Sequence, residues 1–185
     1  MTIRIPPFLH DVLGESQTVG EVLAIVVFGV GLATLLFFGF PEMTQGLPLW
    51  RSALAYLLVV DIFAGCVANF TYSTSNHYAA RNKKRLIFIA VHVHILIVAW
   101  LLGVDFLPAV IAWGYTIASA LVVNALKGNR LQLFVAGVLL ATGISVTVLL
   151  MEAPKYFLVI SLLFMMKVMF SFAVDHYGRQ RKAES

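Results

Sequence analysis

Six runs of about twenty apolar residues, each closed by charged or turn-forming residues, constrain this chain more than any other feature. A helix needs roughly 20 apolar residues to cross a hydrocarbon layer about 30 Å thick. The first run covers 21–40 and the second 49–72, with Pro41, Glu42, Gly46 and Pro48 between them. A third covers 86–104. The chain turns back near Asp105 and Pro108 into a fourth run ending about 126. Lys127, Gly128, Asn129 and Arg130 break it before a fifth, 131–150. Glu152 and Pro154 precede a sixth, 155–174, with Pro154 suited to a first helical turn. Hydrophobic residues make up 61% and charged residues 12% of the 185, more apolar surface than one water-soluble core of that size could bury. The expected class is therefore all-α: a polytopic bundle of about six transmembrane helices.

The basic residues predict its orientation, because Lys and Arg are retained on the cytoplasmic side. Arg81, Lys83, Lys84 and Arg85 fall between spans two and three, Lys127 and Arg130 between four and five, and Arg179, Arg181 and Lys182 after six. All three segments share one side, which gives an N-in, C-in topology, and a plasma (inner) membrane if the chain is bacterial. Trp50, Trp100 and Tyr156 are expected at the outer rim, and Tyr72, Tyr78 and Tyr177 at the inner. Three regions follow. Residues 1–19 form a cytoplasmic segment, 20–174 the membrane domain and 175–185 a basic tail. The run Phe8, Leu9, Val12 and Leu13 suits a short interfacial helix, with an unstructured tail as the alternative. No signal-peptide cleavage pattern is expected, since the first run is as long as a full span.

The positive balance is explained by topology, so anionic lipid headgroups, and not nucleic acid, are the expected partner. Cys66 is the only cysteine and allows no intrachain disulfide. Small residues four apart, Gly29 with Ala33, Ala64 with Ala68, Gly114 with Ala118 and Gly137 with Ala141, predict close helix approach.

The ionisable residues inside the spans carry the functional information, since a charge at the bilayer centre costs about 2.5–3.5 kcal/mol even on the gentlest scale. Asp61 in span two and Lys167 in span six are predicted at similar depth, where pairing is the economical arrangement. The pair is either a carrier site for protons or cations or a staple fixing helix register.

A second, cytoplasmic-side set comprises Asn69, Ser73, His77, His92, His94, Asn124, Asp175 and His176. Asn69, Ser73 and His77 form a stripe if the second helix continues beyond the membrane surface. His92 and His94 are two apart, about 200° around a straight helix, so only one can face a given site without distortion. Imidazole can bind zinc or haem iron, but each histidine taken singly favours a hydrogen-bonding role. His77 and His92 are the metal-ligand candidates, and no cofactor is assigned.

Ser73 and His77, four apart, resemble the serine and histidine of intramembrane zinc hydrolases of the ceramidase type. The late histidine pair and the seventh span of that family are missing, so no membership follows. Three readings stand. The first is a small solute- or ion-handling protein, transporter- or channel-like, built on Asp61 and Lys167. The second is a non-catalytic membrane subunit or partner. The third is a cytoplasmic-face enzyme acting on a lipid, with a metal held by histidines. A homo-oligomer or a second subunit is expected for a transport or partner function, given the small extramembrane mass.

Overall fold

The computed structural model describes residues 2–79, 81–178 and 180–181. Among them, six helices are long and apolar enough to cross a membrane. These are α2 (Val19–Gly39), α3 (Leu49–Ala68), the pair α5 (Asn82–Val91) and α6 (His94–Leu102), α7 (Phe106–Ala125), α8 (Gln132–Leu150), and α9 (Lys155–Met165) with the π-helical turn Met166–Phe172 that continues it. Arg179 and Lys182 of the basic tail lie outside the described residues.

The sixth span is the hub. Of its most apolar window 61% is buried, against 22% for α2 and 17% for α8. It packs on α3, α6, α7 and α8, while α2 packs chiefly on α3. The rim helices accordingly turn Leu23, Val27, Leu35, Phe38, Phe134 and Leu149 outward. A surface of that kind suits lipid tails or another apolar surface, not water.

Helix ends follow local chemistry. α2 is capped by Thr18, whose hydroxyl accepts from Glu21 N while the Glu21 carboxylate accepts from Thr18 N, a reciprocal capping box that starts the helix at Val19, two residues upstream of the expected start. Gly29 meets α3 so closely that a Cβ there would lie 2.6 Å from Ala64 Cβ, so the first two small-residue pairs serve one contact. The other two pairs do not. Gly114 and Gly137 face open space, and Ala118 and Ala141 are exposed.

Three irregularities depart from six straight rods. The second helix ends at Ala68, and the chain turns through Asn69, Phe70 and Thr71 before α4 (Tyr72–Ala79). Thr71 Oγ1 donates to Ala68 O and accepts from Thr74 N, which caps the new helix and interrupts the polar stripe expected from Asn69 to His77. The third span breaks at His92 and Val93. His92 Nδ1 donates to Phe88 O, the carbonyl its own backbone N–H would take in an unbroken helix, and that N–H falls back on Ile89 O. The sixth span widens into the π-helical turn that contains Lys167.

The N-terminal segment is folded. Strands β1 (Thr2–Arg4) and β2 (Ser16–Thr18) pair antiparallel around a 3-10 turn (Pro7–Leu9) and the short helix α1 (His10–Leu13). Helical structure is thus confined to Pro7–Leu13, and Phe8 is left 81% exposed. Gln17, 1% exposed, anchors the segment by donating to Leu13 O and Thr71 Oγ1.

Candidate functional site

Asp61 on α3 and Lys167 in the π-helical turn meet inside the helix bundle. Lys167 Nζ donates to Asp61 Oδ2 over 2.7 Å and to the Asp61 carbonyl over 3.2 Å. The lysine is 4% exposed, and its stem runs across Gly65, where a Cβ would stand 2.5 Å from Lys167 Cε. Space, not backbone angle, favours glycine there, since a Cβ would push the lysine tip aside. Asn69 Nδ2 and Ser171 Oγ both donate to Lys167 O, which ties the π-helical turn to the end of α3.

The third member is His94. Its Nδ1 lies 3.2 Å from Asp61 Oδ2, within ion-pair distance but out of line for a hydrogen bond. His94 reaches the carboxylate because the helix breaks one residue before it. The same break places the His92 ring 5.2 Å from the His94 ring, edge to face. The two imidazoles were expected on opposite sides of a straight helix, and the local distortion supplied by His92 brings them together. His92 is 4% exposed and, with its Nδ1 proton on Phe88 O, keeps Nε2 as the lone-pair nitrogen.

Asp61 differs from its partner in exposure, with 40% of its side chain accessible and His94 at 29%. It continues the outward stripe of Trp50, Leu54 and Leu57 on α3, and His94 continues that of Trp100 and Ile97 on α6. At the far end of these stripes Trp50 and Trp100 sit 6.3 Å apart, and Arg51 donates to the Trp100 carbonyl. Asp61 is eleven residues along the helix from Trp50, about 16 Å at 1.5 Å per residue, roughly half the thickness of a hydrocarbon layer. Tyr72 and Tyr177, 5.2 Å apart, mark the opposite end.

The remaining polar residues do not form one cluster with this trio. Asn124 accepts from Arg85 Nε. Asp175 N donates to Gln132 Oε1, and its carboxylate pairs with Arg181. His176 bonds Phe170 O, and its burial holds the imidazole below its ordinary pKa, partly offset by that carbonyl. Ser73 Oγ accepts from Ser16 N, and His77 faces Asp11 and Glu15. The expected set therefore divides among three places. Of the two metal-ligand candidates, His92 belongs to the Asp61 group and His77 to the N-terminal segment.

Comparison with protein family models, curated proteins and solved structures finds no match.

Two residues escaped sequence reasoning. Arg85, assigned above to a cytoplasmic loop, is 2% exposed. It donates to Asn124 Oδ1 and to the carbonyls of Phe172 and Ala173, and lies over the Phe172 ring at 5.2 Å. Gln132 adds donors to Val123 O and Ala173 O. Together they satisfy the carbonyls left free where the sixth span ends. The only hint in the sequence was that Asn82 and Arg85 adjoin a long apolar run.

Proposed function

We propose that this protein is a small ion-handling membrane protein in which Asp61 exchanges protons, with Lys167 as its tethered counter-charge and His94 as the proton partner on the open side. The observation that carries the reading is the unequal exposure of the pair. The lysine is enclosed, whereas the carboxylate is 40% exposed beside an imidazole able to take or give a proton. A competing cation that is covalently tethered can neutralise the carboxylate when no proton is bound and give way when one is, which is the requirement for reversible loading. Irregular helices at both His92–Val93 and Met166–Phe172 support it, since such interruptions concentrate where helices line functional sites. His92 extends the line away from Trp100, and the stacked rings of Phe88 and Phe172, 3.8 Å apart, close it. Proton passage toward that end requires the stack to part.

The reading includes the topology argued from charge, both termini cytoplasmic in a plasma membrane, and assembly as a homo-oligomer or with a second subunit. It also keeps residues 20–174 as the working domain, with anionic headgroups at its basic side. A second reading, a membrane-surface enzyme, draws on a different observation: a cleft of about 680 Å³ lined by Glu15, Ser73, Asn76, His77 and Arg81.

The test is proton movement into liposomes that hold the purified protein and a pH-sensitive dye, driven by an imposed membrane potential. Wild-type protein is expected to carry protons at least tenfold faster than empty liposomes, and Asp61→Asn to return the rate to that baseline. Equal rates for wild type and Asp61→Asn would sink the proposal.

A further inference from the structure

Outside the Asp61 site, the N-terminal segment and α4 bring His10, Glu15 and His77 together, with one potential ligand atom of each lying within 4.8 Å of the others. We propose that these three residues form a binding site for a divalent transition metal of the zinc class, in which the Arg81 guanidinium is a displaceable internal cation.

The fold positions each ligand. Gly14, with φ of +71°, turns the chain directly against Ser73, where any Cβ would stand 2.4 Å from Ser73 Oγ. That turn delivers Glu15 to α4, and its Oε1 lies 3.6 Å from His77 Nδ1. His10 on α1 meets the His77 ring edge to face at 6.0 Å.

Both imidazoles are preset as ligands. His10 Nε2 lies 2.8 Å from Ile5 O, and a carbonyl only accepts, so Nε2 carries the proton and Nδ1 the lone pair. His77 Nε2 lies 3.1 Å from Asp11 Oδ1, which leaves Nδ1 as its lone-pair nitrogen. A ring whose second nitrogen is held by a carboxylate or carbonyl is the usual arrangement of metal-bound histidine, fixing tautomer and orientation. Lys84 Nζ also donates to Asp11 Oδ1, over 3.0 Å, which helps fix the carboxylate against the ring.

The site already holds a positive charge. Arg81 Nη1 donates to His77 Nδ1 over 2.8 Å, and Arg81 Nη2 is 3.7 Å from Glu15 Oε1, so the guanidinium uses the same two groups that would bind a metal. Its side chain is 43% exposed and has the neighbouring cleft to swing into. Two imidazoles and one carboxylate suit zinc in preference to magnesium or calcium, which take oxygen ligands, and three protein ligands leave a fourth position open. The site stands independently of proton handling at Asp61.

The experiment uses the full chain, purified without a histidine tag and stripped with a chelator, titrated with Co²⁺ while its visible absorption is followed, then competed with Zn²⁺. One equivalent is expected to bind at micromolar concentration or tighter. His10→Ala and His77→Ala should each weaken binding at least tenfold, and Asp11→Asn about 10–100-fold, as for other outer-shell partners. Arg81→Ala should tighten it several-fold, an effect no structural role for Arg81 would produce. The proposal is overturned if wild type shows no saturable one-equivalent binding, or if Arg81→Ala binds no tighter than wild type. Indifference of binding to both histidine substitutions also overturns it.

Discussion

Replacing Asp61 by Asn is expected to destabilise the protein by about 3–5 kcal/mol, the usual cost of leaving one member of a buried ion pair unpartnered. The two members should not be equivalent. Lys167 is enclosed, and among the described residues its only carboxylate at ion-pair distance is that of Asp61, so its charge has no alternative compensation. Asp61 retains His94 at 3.2 Å as a second partner, so Lys167→Met should cost less, about 1–3 kcal/mol, the range for an incompletely satisfied polar group. The double variant should be more stable than Asp61→Asn alone, because it removes the stranded ammonium. Unfolding in mixed micelles measures all four proteins of the cycle. Strictly additive losses would show that the two side chains do not interact, and equal single losses would contradict the asymmetry.

Arg85→Met is the second large effect, expected at about 2–4 kcal/mol for the buried acceptors it abandons. Methionine keeps the stem's volume but none of its donors. Ala173 O keeps Gln132, whereas Asn124 Oδ1 and Phe172 O lose the guanidinium. Arg85→Lys should recover only part of the loss, since an ammonium cannot reproduce the planar fork that spans two elements. Stability of Arg85→Met within about 0.5 kcal/mol of wild type, the scatter of ordinary surface substitutions, would contradict a capping role.

The contrast between Arg85 and Asp61 shows which features the sequence made legible. The spans could be read because lipid tolerates no unsatisfied backbone, so apolar length alone announces a helix. The depth match of Asp61 and Lys167 followed from counting along those helices. Arg85 was misassigned because basic residues near a span end satisfy the topology rule whether they face headgroups or protein. The meeting of His92 with His94 could not be read at all. It depends on a break without proline or glycine, produced by one imidazole taking the Phe88 carbonyl. The same holds for Thr71, which restarts a helix where periodicity continued it, and for the N-terminal segment, whose strands are three residues each and whose anchors, Gln17 on Thr71, Ser16 on Ser73 and Asp11 on His77 and Tyr78, are far apart in the chain.

Protonation of Asp61 is most directly observed by infrared difference spectroscopy of the purified protein across an acid titration. A protonated-carboxyl band that grows on acidification, disappears in Asp61→Asn and shifts its midpoint in His94→Gln is the expected result. A titration in which Asp61→Asn removes no band would mean that the carboxylate stays ionised throughout, leaving Asp61 and Lys167 as a fixed staple between helices.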